Sequence, residues 1–157
     1  MENLSDKLRI HWHNCNQATT EFAKAVPADR WSEKAFDPRF KSFSWEFSCL
    51  VRTRLCYLKA FQTGYLEFRH QEDIPDKDVV MSWDKNYILE KLEVTSIGIF
   101  KEIEVLDTPE KVDMATWLLE HERIHQGKLI LYFAKTELLI PEEFKKTWGQ
   151  ENFPDRR

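Results

Sequence analysis

Apolar side chains recur every three or four residues along four long stretches of the chain, the spacing of amphipathic helices. The stretches are about Ser5–Ala25, about Ser42–Phe61, one from Ser82 or Asp84 to Phe100 or Val105, and one from Thr108 or Asp113 to Ile140. A short last helix is expected from Pro141 to Trp148. No alternation of apolar and polar residues is long enough to predict a strand. The pattern therefore predicts an all-α protein, a four-helix bundle of up-down type with a short C-terminal helix.

Residues at the predicted helix ends agree with these bounds. Ser5 or Asp6 is a candidate N-cap of the first helix, and Gly64 stops the second. The fourth helix begins either at Thr108-Pro109, because proline is tolerated at the first helical position, or a few residues later at Asp113. Both starts remain open. Residues 67–78 are predicted to form a polar loop.

Two of the predicted helices have faces that can be drawn in detail. The apolar stripe of the first consists of Leu8, Trp12, Cys15, Ala18 or Thr19, Phe22 and Val26. The core face of the second is drawn through Phe47, Leu50, Leu55, Leu58 and Phe61, and a second stripe through Trp45, Cys49, Arg52, Cys56 and Lys59. The basic residues Arg52, Arg54 and Lys59 are predicted to form one solvent-exposed face.

The overall composition is that of one globular domain. The chain has 157 residues, of which 42% are hydrophobic and 32% charged, so we expect a single domain over residues 1–157 with a large core. The net charge is −4, and no basic stripe is present to neutralise phosphates, which excludes a nucleic-acid partner.

The segment Met1–Lys7 lacks the basic and apolar regions of a signal peptide, and no apolar run approaches the length of a membrane span. Three cysteines are an odd number, which favours reduced thiols over a disulfide framework. We therefore expect a cytoplasmic protein without a membrane partner.

The strongest chemical signal is the pair His121 and His125 with Glu122 between them. Residues four apart on a helix lie about 6 Å apart along its axis on one face, so both imidazoles can bind one cation. Two ordinary histidines are the simpler interpretation. The same residues also match HExxH, the zinc protease motif, in which Glu122 would be the general base. A protease is disfavoured because the chain is short and predicts no strands to hold a peptide.

The residues around His121 and His125 favour a metal-binding pair over two ordinary histidines. The run from Trp117 to Leu129 resembles the last-helix motif of the DinB superfamily, which is similar to HExxHxGQ followed by an apolar residue. The segment from Tyr132 to Trp148 is similar to that family's closing segment, and Ser42–Gly64 resembles its second helix. The resemblance spans most of the chain and implies a helical bundle with a divalent metal held by three histidines.

In this resemblance Cys49 occupies the position of the first histidine, so the implied ligands are Cys49, His121 and His125. A thiolate with two imidazoles is a sound zinc site, with nickel as an alternative metal. The substitution can equally have abolished the site. Glu46 is the reserve ligand, one turn before Cys49. Glu122 is the candidate catalytic residue, or else a partner of an imidazole N–H or a surface residue.

The resemblance implies a metal-dependent enzyme, either a hydrolase or a transferase acting on low-molecular-weight thiols. Its partner would be a small-molecule substrate, and homodimerisation through helix faces is also implied. The competing hypothesis is a non-catalytic bundle with a vestigial metal site. Such a protein would act as a small-ligand or stress-associated binding protein.

Overall fold

The computed structural model describes residues 4–149, and every regular element in that range is a helix. The elements are α1 (Leu4–Ala25), a 3-10 turn (Ala28–Arg30), α2 (Phe43–Thr63), α3 (Lys77–Met81), α4 (Lys85–Glu104), α5 (Pro109–Lys135) and α6 (Glu142–Trp148). The prediction of an all-α protein is confirmed for this range. Residues 1–3 and 150–157, which the predicted single domain and the N-terminal segment Met1–Lys7 include, lie outside the described residues.

The four long helices pack around two apolar clusters, and each helix contributes residues to both. Both α1 and α2 contact both α4 and α5, while α3 packs on α2 and α6 on α1. The predicted stripe of α1, including both alternatives Ala18 and Thr19, is buried throughout, as its three-and-four spacing requires. Between residues 4 and 149, no helix combines the length and the apolar character needed to cross a membrane.

Side-chain caps begin three of these helices. Ser42, Asp84 and Thr108 each accept a hydrogen bond from the backbone N–H three residues later, at 3.2, 2.9 and 3.3 Å. The cap at Thr108, followed by Pro109 in the first turn, decides between the two predicted starts of α5. Gly64 ends α2 as predicted, with the positive φ of 75° that glycine adopts without strain.

Two predictions at the helix starts are wrong. Neither Ser5 nor Asp6 caps α1, because the helix already includes Leu4 and the hydroxyl of Ser5 instead donates to the carbonyl of Ile103. The predicted polar loop contains the start of α3, which sequence patterning missed because a five-residue helix has too few turns to show a period.

The fourth long helix ends earlier than predicted, at Lys135 and not near Ile140. Glu137 adopts a positive φ of 59°, and the N–H of Leu138 donates to the carbonyl of Phe133 at 2.9 Å. This six-to-one hydrogen bond is the Schellman motif, usually formed with glycine at the left-handed position. Because Glu137 occupies that position here, the usual sequence signal for the helix end is missing.

The predicted exposed basic face of α2 is wrong for Arg54, whose side chain is 0% exposed. Leu55 and Leu58, predicted in the core, are only partly buried. The reason is that α2 lies between α3, α4 and α5 and is covered on more than one side. Arg54 follows Phe47 by seven residues and precedes Phe61 by seven, so it shares their face.

Candidate metal centre

Three metal-binding side chains from two helices converge on one point. Cys49 of α2 and His121 and His125 of α5 offer ligand atoms that all lie within 4.8 Å of one another. The Nε2 atoms of the two histidines are 3.2 Å apart, and Cys49 Sγ is 3.9 Å from His121 Nε2. The predicted convergence of these three residues is therefore observed, and the cluster could hold a metal ion.

Local helix geometry and helix packing both contribute to this arrangement. His121 and His125 are one turn apart on α5, which places their ring centroids 4.5 Å apart. Cys49 reaches them because α2 packs along α5. His125 is buried, while Cys49 and His121 are partly exposed. The indole of Trp45 stacks near His125, with centroids 6.3 Å apart.

Glu46, the reserve ligand of the sequence analysis, lies behind His125. Its Oε2 is 2.6 Å from His125 Nδ1, an ion-pair distance without the straight alignment of a regular hydrogen bond. The same oxygen is 2.5 Å from Lys128 Nζ, and Oε1 accepts a hydrogen bond from the Tyr132 hydroxyl at 2.9 Å. Glu46 therefore contacts the nitrogen of His125 that faces away from the cluster.

These neighbours alter the proton affinity of the thiol. Burial alone would raise the pKa of Cys49, but contacts with His121 and His125 outweigh burial and lower the pKa to about 6. Burial likewise works to lower the pKa of His125, but contacts with Cys49 and Glu46 raise it above its ordinary value. In the protein without metal the cluster thus favours a thiolate beside a protonated imidazole.

The distances between the side chains fit a tetrahedral ion. Bonds of about 2.0–2.1 Å to nitrogen and about 2.3 Å to sulfur separate two nitrogens by about 3.3 Å and a sulfur from a nitrogen by about 3.6 Å. The observed separations are 3.2 and 3.9 Å. The Nδ1 atom of His121 is buried and has no hydrogen-bond partner among the described residues. All three ligand atoms lie within 4.8 Å of one another, so the donor set can hold a divalent metal once its members move closer to the ion.

Glu122, the candidate catalytic residue, makes its contacts elsewhere. Its carboxylate is fully buried and accepts hydrogen bonds from Arg54 Nε and Nη2 at 2.7 and 2.9 Å and from the Thr19 hydroxyl at 2.7 Å. Burial raises the pKa of Glu122, but the charge of Arg54 outweighs it and holds the pKa below its ordinary value. A catalytic role of Glu122 stays a prediction that none of these contacts supports.

The ion pair between Arg54 and Glu122 belongs to a buried polar network that joins the four long helices. Arg54 also donates to Asn16 Oδ1 and the Leu92 carbonyl, both at 2.9 Å. The Gln126 amide donates to the Cys15 carbonyl and the Thr19 hydroxyl, both at 2.9 Å. Sequence reasoning missed this network, although the seven-residue spacing from Phe47 to Arg54 was a signal for it.

Arg52 is bound to the loop between α2 and α3. Its guanidinium donates to the carbonyl oxygens of Phe68, Arg69 and Pro75 at 3.1–3.2 Å. These bonds hold the loop against α2, and the hydroxyl of Ser48 adds a hydrogen bond to the Val80 carbonyl of α3. Arg52 therefore fastens the loop between α2 and α3 to the side of α2.

Comparison with known proteins assigns the chain to no family. No protein-family model matches the chain, and no curated protein matches it at a significant level.

Proposed function

We propose that the chain is a metal-dependent enzyme of the DinB-like class, a four-helix bundle of up-down type. In this proposal Cys49, His121 and His125 bind one divalent ion and leave a coordination position open to a small-molecule substrate. The observation that carries the proposal is the convergence of these three ligand atoms within 4.8 Å of one another. Catalytic sites commonly use three protein ligands in this way, with the fourth position left for water or substrate.

Zinc is the metal that this donor set favours. A thiolate is a soft ligand and imidazole a borderline one, and the combination selects zinc over magnesium or manganese, with nickel as the alternative. The lowered pKa of Cys49, about 6, favours metal binding because the thiol is already ionised at neutral pH, so that only an imidazole proton must be displaced.

The reaction we propose is hydrolysis or the transfer of a low-molecular-weight thiol. A bound divalent metal would supply Lewis acidity, which lowers the pKa of a water or thiol in the open position. The protein's own residues supply the rest. His125 is buried and oriented, Trp45 covers its ring, and the partly exposed edges of Cys49 and His121 leave an approach for the substrate.

The test is a comparison of melting curves with zinc and with chelator, together with elemental analysis of the purified protein. An ion that joins α2 to α5 stabilises the native state by about 4 kcal/mol when free metal is a thousandfold above its dissociation constant. His125→Ala should abolish the zinc-dependent shift. His70→Ala is the matched control, because His70 is exposed and its side chain pairs with Asp76 at 2.9 Å.

Protons compete with the metal for the thiolate and the imidazoles, so the zinc-dependent shift should shrink as the pH falls toward 5. Identical melting curves in zinc and in chelator, with no metal found by elemental analysis, would refute the proposal and favour the vestigial site.

A further inference from the structure

We propose that Glu46 is a positioning residue, which fixes the tautomer and the orientation of His125 so that Nε2 faces the metal. This inference rests on the proposed function. It assigns a specific task to a residue that the sequence analysis considered only as a reserve ligand. Carboxylates in this position behind a metal-binding histidine are known to tune metal affinity.

The distance between Glu46 and His125 determines which nitrogen carries the proton. Oε2 of Glu46 lies 2.6 Å from His125 Nδ1. A carboxylate oxygen this close to the lone pair of an unprotonated nitrogen would be strongly repelled, so Nδ1 must hold the proton. The lone pair of the neutral imidazole is then on Nε2, the nitrogen that lies 3.2 Å from His121 Nε2.

Glu46 is itself held in place by α5. It is only 1% exposed, and its two oxygens contact Lys128 Nζ and the Tyr132 hydroxyl in addition to His125. These three partners follow one another at steps of three and four residues, so they form one face of α5 directed at α2. Lys128 Nζ, a cationic donor, lies 2.5 Å from Glu46 Oε2 and favours the ionised carboxylate. The carboxylate is therefore a fixed anion.

His121 provides an internal comparison. Its Nδ1 is buried but has no hydrogen-bond partner among the described residues, so no carboxylate fixes its tautomer. Glu46 thus acts on one of the two imidazoles only. In zinc-free protein, at a pH high enough for the His125 imidazole to be neutral, we expect a single tautomer of this ring, with the proton on Nδ1.

The test compares wild type, Glu46→Gln and Tyr132→Phe. Zinc dissociation constants are measured by competition with a chromophoric chelator. The tautomer of His125 is measured by long-range 1H–15N NMR of the zinc-free protein, at a pH high enough for the imidazole to be neutral. Glu46→Gln should weaken zinc binding about 10- to 100-fold. It should also reduce the preference of His125 for the Nδ1-protonated form, because a neutral amide oxygen accepts a weaker hydrogen bond than a carboxylate. Tyr132→Phe keeps the carboxylate and should produce a smaller loss of affinity in the same direction.

Glu120→Gln is the charge control, because Glu120 is an exposed carboxylate next to His121 in sequence. It should leave the tautomer of His125 unchanged and alter zinc affinity less than threefold. An unchanged tautomer and zinc affinity in Glu46→Gln would overturn the positioning role while leaving the metal site intact. A wild type that binds no zinc would instead refute the proposed function, and with it any task of Glu46 toward a metal.

Discussion

The buried pair between Arg54 and Glu122 yields a quantitative prediction about stability. Both side chains are 0% exposed, and two hydrogen bonds join them at 2.7 and 2.9 Å. The substitution Glu122→Gln preserves the shape of the side chain but leaves the guanidinium of Arg54 buried without a counterion. We expect this variant to be severely destabilised and a variant that removes both charges to be much less so.

The magnitude follows from what the substitution leaves behind. Removing one partner of a buried ion pair costs about 3–5 kcal/mol, because the other charge stays in a medium of low dielectric constant. The glutamine carbonyl can still accept a hydrogen bond from Arg54 or Thr19, so we expect a loss near the lower limit, about 3 kcal/mol. For a domain of 157 residues this corresponds to a fall of about 6–12 °C in melting temperature.

The assay is equilibrium unfolding in urea of wild type, Glu122→Gln, Arg54→Met and the double variant Arg54→Met/Glu122→Gln. Each single variant should lose stability, whereas the double variant should be nearer to wild type than either, because neither charge is left alone. A loss below about 1 kcal/mol in Glu122→Gln would refute the assignment of the pair as a buried, mutually neutralising unit. So would a double variant whose loss equals the sum of two single losses.

The same pair makes stability depend on pH. The pKa of Glu122 is lower in the folded protein than in the unfolded chain, where glutamate titrates near about 4.3. A depressed carboxyl pKa contributes stability that is complete above the unfolded value and is lost as the pH falls through the folded value. Wild type should therefore lose stability below about pH 4.3 more steeply than Glu122→Gln, which lacks this group.

Three further outcomes are expected. In zinc-free protein, iodoacetamide should modify Cys49 before Cys15, because burial raises the pKa of Cys15 to about 12. The rate at Cys49 should be half-maximal near its pKa of about 6, and equal rates for both thiols would contradict this prediction. Glu137→Gly should stabilise the protein by up to about 1 kcal/mol in thermal unfolding, because glycine adopts the left-handed backbone conformation of residue 137 without strain. Glu120→Gly, on the exposed face of α5, should destabilise it by a similar amount because glycine is a poor helix former. Ser42→Ala should cost about 1 kcal/mol in urea unfolding through loss of the α2 cap, and an unchanged midpoint would show that the cap contributes nothing.

Local sequence determined the four long helices and the pairing of His121 with His125. The spacing of apolar residues and the caps at Ser42, Asp84 and Thr108 depend only on neighbours within one or two turns, so the sequence predicted the four long helices to within a few residues at most ends. The pairing of His121 with His125 is of the same kind, because a separation of four residues places two side chains on one helix face. The end of α5 was predicted too late because Glu137 adopts a conformation that its residue type does not signal.

Contacts between helices decided what the sequence left open. Whether Arg54 faces solvent or the core depends on how many helices surround α2, and only packing places it opposite Glu122. Helix packing also decides the position of Glu46. The sequence offered it as a reserve ligand, but the structure places its carboxylate against His125 Nδ1, on the side of the ring away from the cluster. Helix register and packing, which arise from contacts among residues far apart in the chain, therefore set the chemistry of this site.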